Sequence, residues 1–124
     1  MNLRNLFRVG AVISILSGLG YLFAPQAASV VDLDPYGLYF LQLLGASNIA
    51  IAILLFLVSG LANSPARQAV VTAMIVHQSV SGIVNLVAVL GGSIPSGAGW
   101  ISAVLNFMFA LAFGYFSFVR PEDA

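Results

Sequence analysis

Four long apolar runs constrain this chain more than any other feature: Val9 to Ala24, Gly37 to Leu61, Gln68 to Leu90 and Trp100 to Val119. A helix needs roughly 20 apolar residues to cross the hydrocarbon core of a bilayer. The first run is short, so its span begins nearer Leu6, with Arg8 snorkelling to the headgroups. Composition agrees. Of 124 residues, 60% are apolar and 6% charged, whereas a soluble domain is about half apolar and about a quarter charged. Four basic and four acidic side chains cannot cover a water-facing surface, so most of the solvent must be lipid. The expectation is an all-α, four-helix, up-and-down transmembrane bundle. It forms a single integral membrane domain over residues 1–124, with spans at about 6–24, 37–61, 67–90 and 99–119.

The punctuation between the runs supports these boundaries. Asp34-Pro35 reads as an N-cap followed by proline at the first helical position, and Ser64-Pro65 repeats the pattern. Gly60 and Gly91-Gly92 suit helix C-termini. The stretch from Gly91 to Gly99 reads as a turn-rich connector, and Arg120-Pro121 as a basic last turn followed by a stop.

The basic residues orient the spans. Arg4 and Arg8 precede span one, Arg67 lies between spans two and three, and Arg120 follows span four. With four crossings all fall on one side, while the opposite loops carry Asp32 and Asp34. The positive-inside rule then puts both termini in the cytoplasm, with Tyr21, Tyr36, Tyr39 and Trp100 near the outer interface. Span one also has the basic start and apolar core of a signal peptide. The following "FAPQAAS" is a poor cleavage site, so retention is expected. The outer loop from Ala24 to Pro35 is itself apolar. Pro25 can start a short helix with Val30, Val31 and Leu33 on one side, lying in the headgroup plane or over the helix ends.

Polar residues interrupt the apolar runs at helical spacing. Helix association in lipid uses small residues and side-chain hydrogen bonds. Span one offers Gly10, Ser14 and Gly18; span two Gln42, Gly45, Asn48 and Ala52; span three His77, Ser81 and Asn85, with Gln78 beside them. Span four offers Gly99, Ser102, Asn106, Ala110, Gly114 and Ser117. Each set is expected to face inward. His77 and Asn48 fall near mid-membrane, and Gln42, Asn85, Ser102 and Asn106 in the outer half. These groups either hold the helices together or line a small, partly polar cavity opening outward or to lipid. The candidate ligand-binding residues are therefore His77, Gln78, Gln42, Asn48, Asn85, Asn106, Ser81 and Trp100.

His77 is the ionisable group nearest mid-span. Such residues are expensive in lipid and are functional candidates, although burial favours the neutral imidazole. It is expected to face inward and bond to Asn48 or Asn106. It serves as a structural hydrogen-bonding group, a ligand contact, or a site of proton or cofactor chemistry.

Several classes are excluded. Near-zero net charge argues against a nucleic-acid partner. Without cysteine there is no disulfide, thiol catalysis or thiolate metal site. Catalytic dyads, metal clusters and phosphate loops are absent, so no catalytic residue, metal or cofactor is expected. No acidic residue lies between Asp34 and Glu122. The membrane-embedded glutamate of small proton-coupled exporters is therefore missing.

An arginine ahead of span one, "LFAPQAASVVDLDP" after it, "LQLLGASNIAIAIL" in span two, "SPAR" before span three and "GAGW" opening span four form a layout. That layout resembles the small bacterial four-helix membrane proteins of the DoxX group over nearly the whole chain. The resemblance implies a four-helix bundle in a bacterial inner membrane and supplies no catalytic residues. That group tends to carry an acidic residue near the span-two glycine, where this chain has Gln42 and Asn48. The function expected is a non-enzymatic membrane protein. It acts as an accessory subunit or binds a small hydrophobic molecule or lipid through an outer-half polar cavity. The alternative is a small transporter using the polar cluster and His77. Partners on either reading are membrane lipid, a small hydrophobic ligand, and a homo-oligomer or larger membrane complex.

Overall fold

The computed structural model describes residues 2–119. The fold is all-α, with no strand among the described residues. Helices α1 (Leu3–Phe23), α3 (Pro35–Ser59), α4 (Pro65–Leu90) and α5 (Ser96–Gly114) are long, and α2 (Pro25–Ala28) is a single turn. A π-helical turn, Tyr115–Val119, continues α5. The four long helices, the last counted through Val119, are each long and apolar enough to cross a membrane. Much of their apolar surface faces outward: Leu16, Phe40, Phe56, Val84, Leu111 and Phe118 are all exposed. Water would penalise such a surface, whereas lipid does not.

The chain divides into two compact units, residues 7–60 and residues 1–6 with 61–124. In the first, Gly10 lies opposite Leu55, Gly18 opposite Gly45, and Leu22 opposite Gln42. Positions rise along α1 as they fall along α3, so the pair is antiparallel. A Cβ on Gly18 would sit 2.8 Å from the Gly45 carbonyl oxygen, and one on Gly45 2.8 Å from the Gly18 oxygen. The two backbones therefore touch directly, the contact that small residues permit between membrane helices. The opposite end of this unit is filled by bulk instead: Phe7, Leu55 and Val58 are buried.

The second unit is built the same way. Gly82 of α4 receives the Phe107 ring of α5, and Gly99 of α5 packs under Val89 and Ile94. Gln68 near the start of α4 meets Ser117 in the π-helical turn. This pair is antiparallel too. Leu3, Leu6, Val71, Met74 and Phe113 fill its other end.

The caps follow the local chemistry. The Asn2 side chain accepts from the Asn5 N–H at 2.9 Å, so α1 begins at Leu3 rather than near Leu6. Asp34 accepts from Gly37 N–H at 2.7 Å, and Ser64 from Arg67 N–H at 3.3 Å, each with proline at the first helical position. Helix α4 ends in a Schellman motif: Ser93 N–H bonds Ala88 C=O, Gly92 N–H bonds Val89 C=O, and Gly92 takes φ +72°.

Two boundary expectations are corrected. The connector into span four ends at Pro95, and residues from Ser96 are helical. Gly99 is small because Val89 and Ile94 leave its Cβ no room, not because the chain turns there. In the loop between α1 and α3, α2 stops at Ala28, where Ser29 is extended, so Val30 and Val31 lie beyond it and are exposed. Ser29 and Val31 bond each other, Gln26 donates to Asp32 at 3.4 Å, and Leu33 packs beside Gly37. The expected basic last turn at Arg120 and stop at Pro121 lie outside the described residues.

Candidate functional site

The small and polar faces expected of spans one, two and four are largely the packed ones. Gly10, Gly18, Gly45, Ala52, Gly99, Ala110 and Ser117 are buried, and Ser14, Asn48, Ser102, Asn106 and Gly114 are half-buried. Gln42 is exposed and reaches across to donate to the Leu22 carbonyl at 3.4 Å.

Span three differs. Its packed face is centred on Gly82, with Val71 and Met74 buried and Gln78 half-buried. At about 100° per residue, His77 lies about 140° around the helix from Gly82. It is exposed and makes no hydrogen bond among the described residues. The expected inward imidazole is thus corrected. The reading grouped His77, Ser81 and Asn85 because they are four apart, but the helix turns on the residue that lets its neighbour closest. That residue is Gly82, which accepts the Phe107 ring.

Two of the remaining candidates bond within their own helices. Asn85 donates to the Ser81 carbonyl at 3.0 Å, and Asn106 to the Ser102 carbonyl at 2.8 Å, each four residues back on its own helix. In lipid such back-bonding satisfies the amide N–H without a partner helix. Ser81 is half-buried, and Trp100 stands 47% exposed in the first turns of α5. Within the α4–α5 unit, no hydrogen bond joins any two of these candidate side chains.

A polar relay that sequence reasoning missed lies at the other end of this unit. Gln68 Nε2 donates to Asn63 Oδ1 at 2.9 Å, and Ser117 Oγ donates to Gln68 Oε1 at 2.8 Å. Thr72 Oγ1 donates to the Gln68 carbonyl at 3.0 Å. Gln68 thereby ties the loop before α4 to the π-helical turn after α5. A signal was available: Gln68 and Thr72 share a helical face, and Ser117 lies on the small face of span four.

Beside this relay the unit presents an open groove of about 810 Å³. Ile75 and Ser79 of α4 form one wall; Phe107, Leu111, Gly114 and Phe118 form the other. It lies in the half of the unit opposite the expected outer polar cavity. None of His77, Gln78, Gln42, Asn48, Asn85, Asn106, Ser81 or Trp100 lines it. A Cβ at Gly114 would meet nothing within 4 Å, so the groove passes over bare backbone where α5 widens into a π-helical turn. Such turns are frequent at functional sites.

Comparison with family models, with curated proteins and with solved structures finds no match for this chain.

Proposed function

We propose that this four-span membrane protein binds one hydrocarbon chain, the tail of a lipid or of a small hydrophobic molecule, in the groove between α4 and α5. It performs no chemistry on that chain. The groove carries the reading: its volume of about 810 Å³ falls in the range of about 300–1,000 Å³ usual for small-molecule sites. Apart from Ser79 and Tyr115 its lining residues are apolar, which suits a tail better than a headgroup. The transport alternative has less to stand on, because Asn85 and Asn106 bond their own helices and His77 is exposed. On this reading the protein resides in a bacterial inner membrane with both termini cytoplasmic, consistent with its layout resemblance to the DoxX group.

The test is mass spectrometry of lipids and proteins retained on gentle purification, comparing the wild type with Gly114→Leu. Its Cβ has open space, and the side chain is added on the groove's own lining. The wild type should hold a hydrophobic molecule that the variant loses at unchanged helicity. Equal retention would sink the reading, as would a co-purifying membrane subunit displaced by the same variant.

A further inference from the structure

The exposed histidine has a physical consequence independent of the groove. His77 is at the midpoint of α4, a helix long and apolar enough to cross a membrane. At that depth no water reaches its ring nitrogens, and an imidazole left without partners is costly. The face it stands on is patterned. Val70, Ala73, His77, Val80, Val84 and Val87 follow one another at alternating spacings of three and four. That is the heptad seam of a left-handed helix pair. Val70 is half-buried and the other five are exposed. The seam is small or β-branched at every position but one, and such side chains let membrane helices approach closely.

We infer that α4 pairs with α4 of a second copy of this chain in a parallel, two-fold dimer, with His77 of each copy hydrogen-bonded to the other. The occupant follows from symmetry and depth. Copies inserted with the same orientation share a two-fold axis along the membrane normal, so each seam residue meets its own equivalent at its own depth. A neutral imidazole carries one donor and one acceptor nitrogen. Two facing histidines therefore satisfy one N–H and one lone pair with each other, whereas an arbitrary apolar partner satisfies neither. A single polar residue in an otherwise apolar seam fixes register and favours one oligomeric state.

The chain has no cysteine, so single cysteines report cleanly. Ala73→Cys, Val80→Cys and Val87→Cys, on the exposed face, are oxidised in native membranes beside Ile75→Cys, which is about 160° from His77 around the helix. Disulfide dimers should form at the first three and be weak at the last. In a second measurement, dimer fractions are counted by single-molecule photobleaching across protein-to-lipid ratios. His77→Leu should lower the dimerisation constant by about three- to twentyfold, the span of measured interhelical hydrogen bonds, and His77→Asn should restore most of it. Three results overturn the inference: equal crosslinking at Ile75→Cys, a wild type that stays monomeric at every ratio, or a His77→Leu variant that dimerises like the wild type.

Discussion

A methyl group separates the fates of two glycines. At Gly18 an added Cβ meets the Gly45 carbonyl oxygen at 2.8 Å and the Ile49 amide nitrogen at 3.1 Å, backbone that cannot move aside cheaply. Gly18→Ala should destabilise the α1–α3 pair by about 1–3 kcal/mol, the cost of overpacking. At Gly114 the same methyl enters open space, and alanine is the better helix former. Gly114→Ala should be neutral or stabilising by up to about 1 kcal/mol. Steric-trapping unfolding in bicelles reads both, and equal effects would contradict the close approach of α1 and α3. Gln68 provides the polar counterpart. Gln68→Leu removes bonds to Asn63 and Ser117; the second joins two helices, a kind worth about 0.6 kcal/mol on average in membranes. The loss should be about 1 kcal/mol. A double-mutant cycle with Ser117→Ala should show coupling, since both variants break the Gln68–Ser117 bond; additive losses would refute it.

The helix ends were readable from the sequence because their chemistry is local. Asp34 and Ser64 cap as their residue types require, and Ser64→Ala should cost about 1 kcal/mol. That cost should appear as faster hydrogen exchange in the first turn of α4, and unchanged exchange there would refute the cap. Length and apolarity were equally readable, since both are sums over a run. The packed face was readable where one kind of residue defined it: Gly10 and Gly18 on α1, Gly99 and Ala110 on α5. It was misread on α4, where a polar stripe through His77 and a glycine at Gly82 pointed different ways around the helix. Spacing shows that residues share a face but not which way the face points. The direction is decided by what the neighbouring helix brings, here the Phe107 ring against Gly82. The groove was invisible for the same reason. It depends on the π-helical turn from Tyr115 to Val119, whose widened register has no residue signature, and on the open side of Gly114.

At the scale of the whole molecule, the few charges bear on how the chain inserts. Arg4, Arg8 and Arg67 are joined by Arg120, and an even number of crossings brings all four to the same side of the membrane. The loop between α1 and α3 carries Asp32 and Asp34, and the loop between α4 and α5 carries no charge. Lysine and arginine near span ends are held in the cytoplasm during insertion, while aspartate and glutamate contribute little. Arg4, Arg8 and Arg67 therefore bear on orientation through where they stand between the spans. The prediction is that both termini are cytoplasmic, and labelling tests it. Ser96 is exposed at the start of α5, and Ala62 is exposed in the loop before α4. Ala62 serves better than Asn63, whose side chain holds Gln68. A cysteine at Ser96 should react with a membrane-impermeant thiol reagent in intact cells, and one at Ala62 only after the membrane is opened. The reverse pattern would invert the topology. Labelling of both in intact cells would mean that copies insert both ways, which would also remove the shared orientation that brings His77 to His77. Adding arginines beside Ser96 while replacing Arg4 and Arg8 with glutamine should shift labelling toward Ala62, because the bias that orients the chain is then reversed.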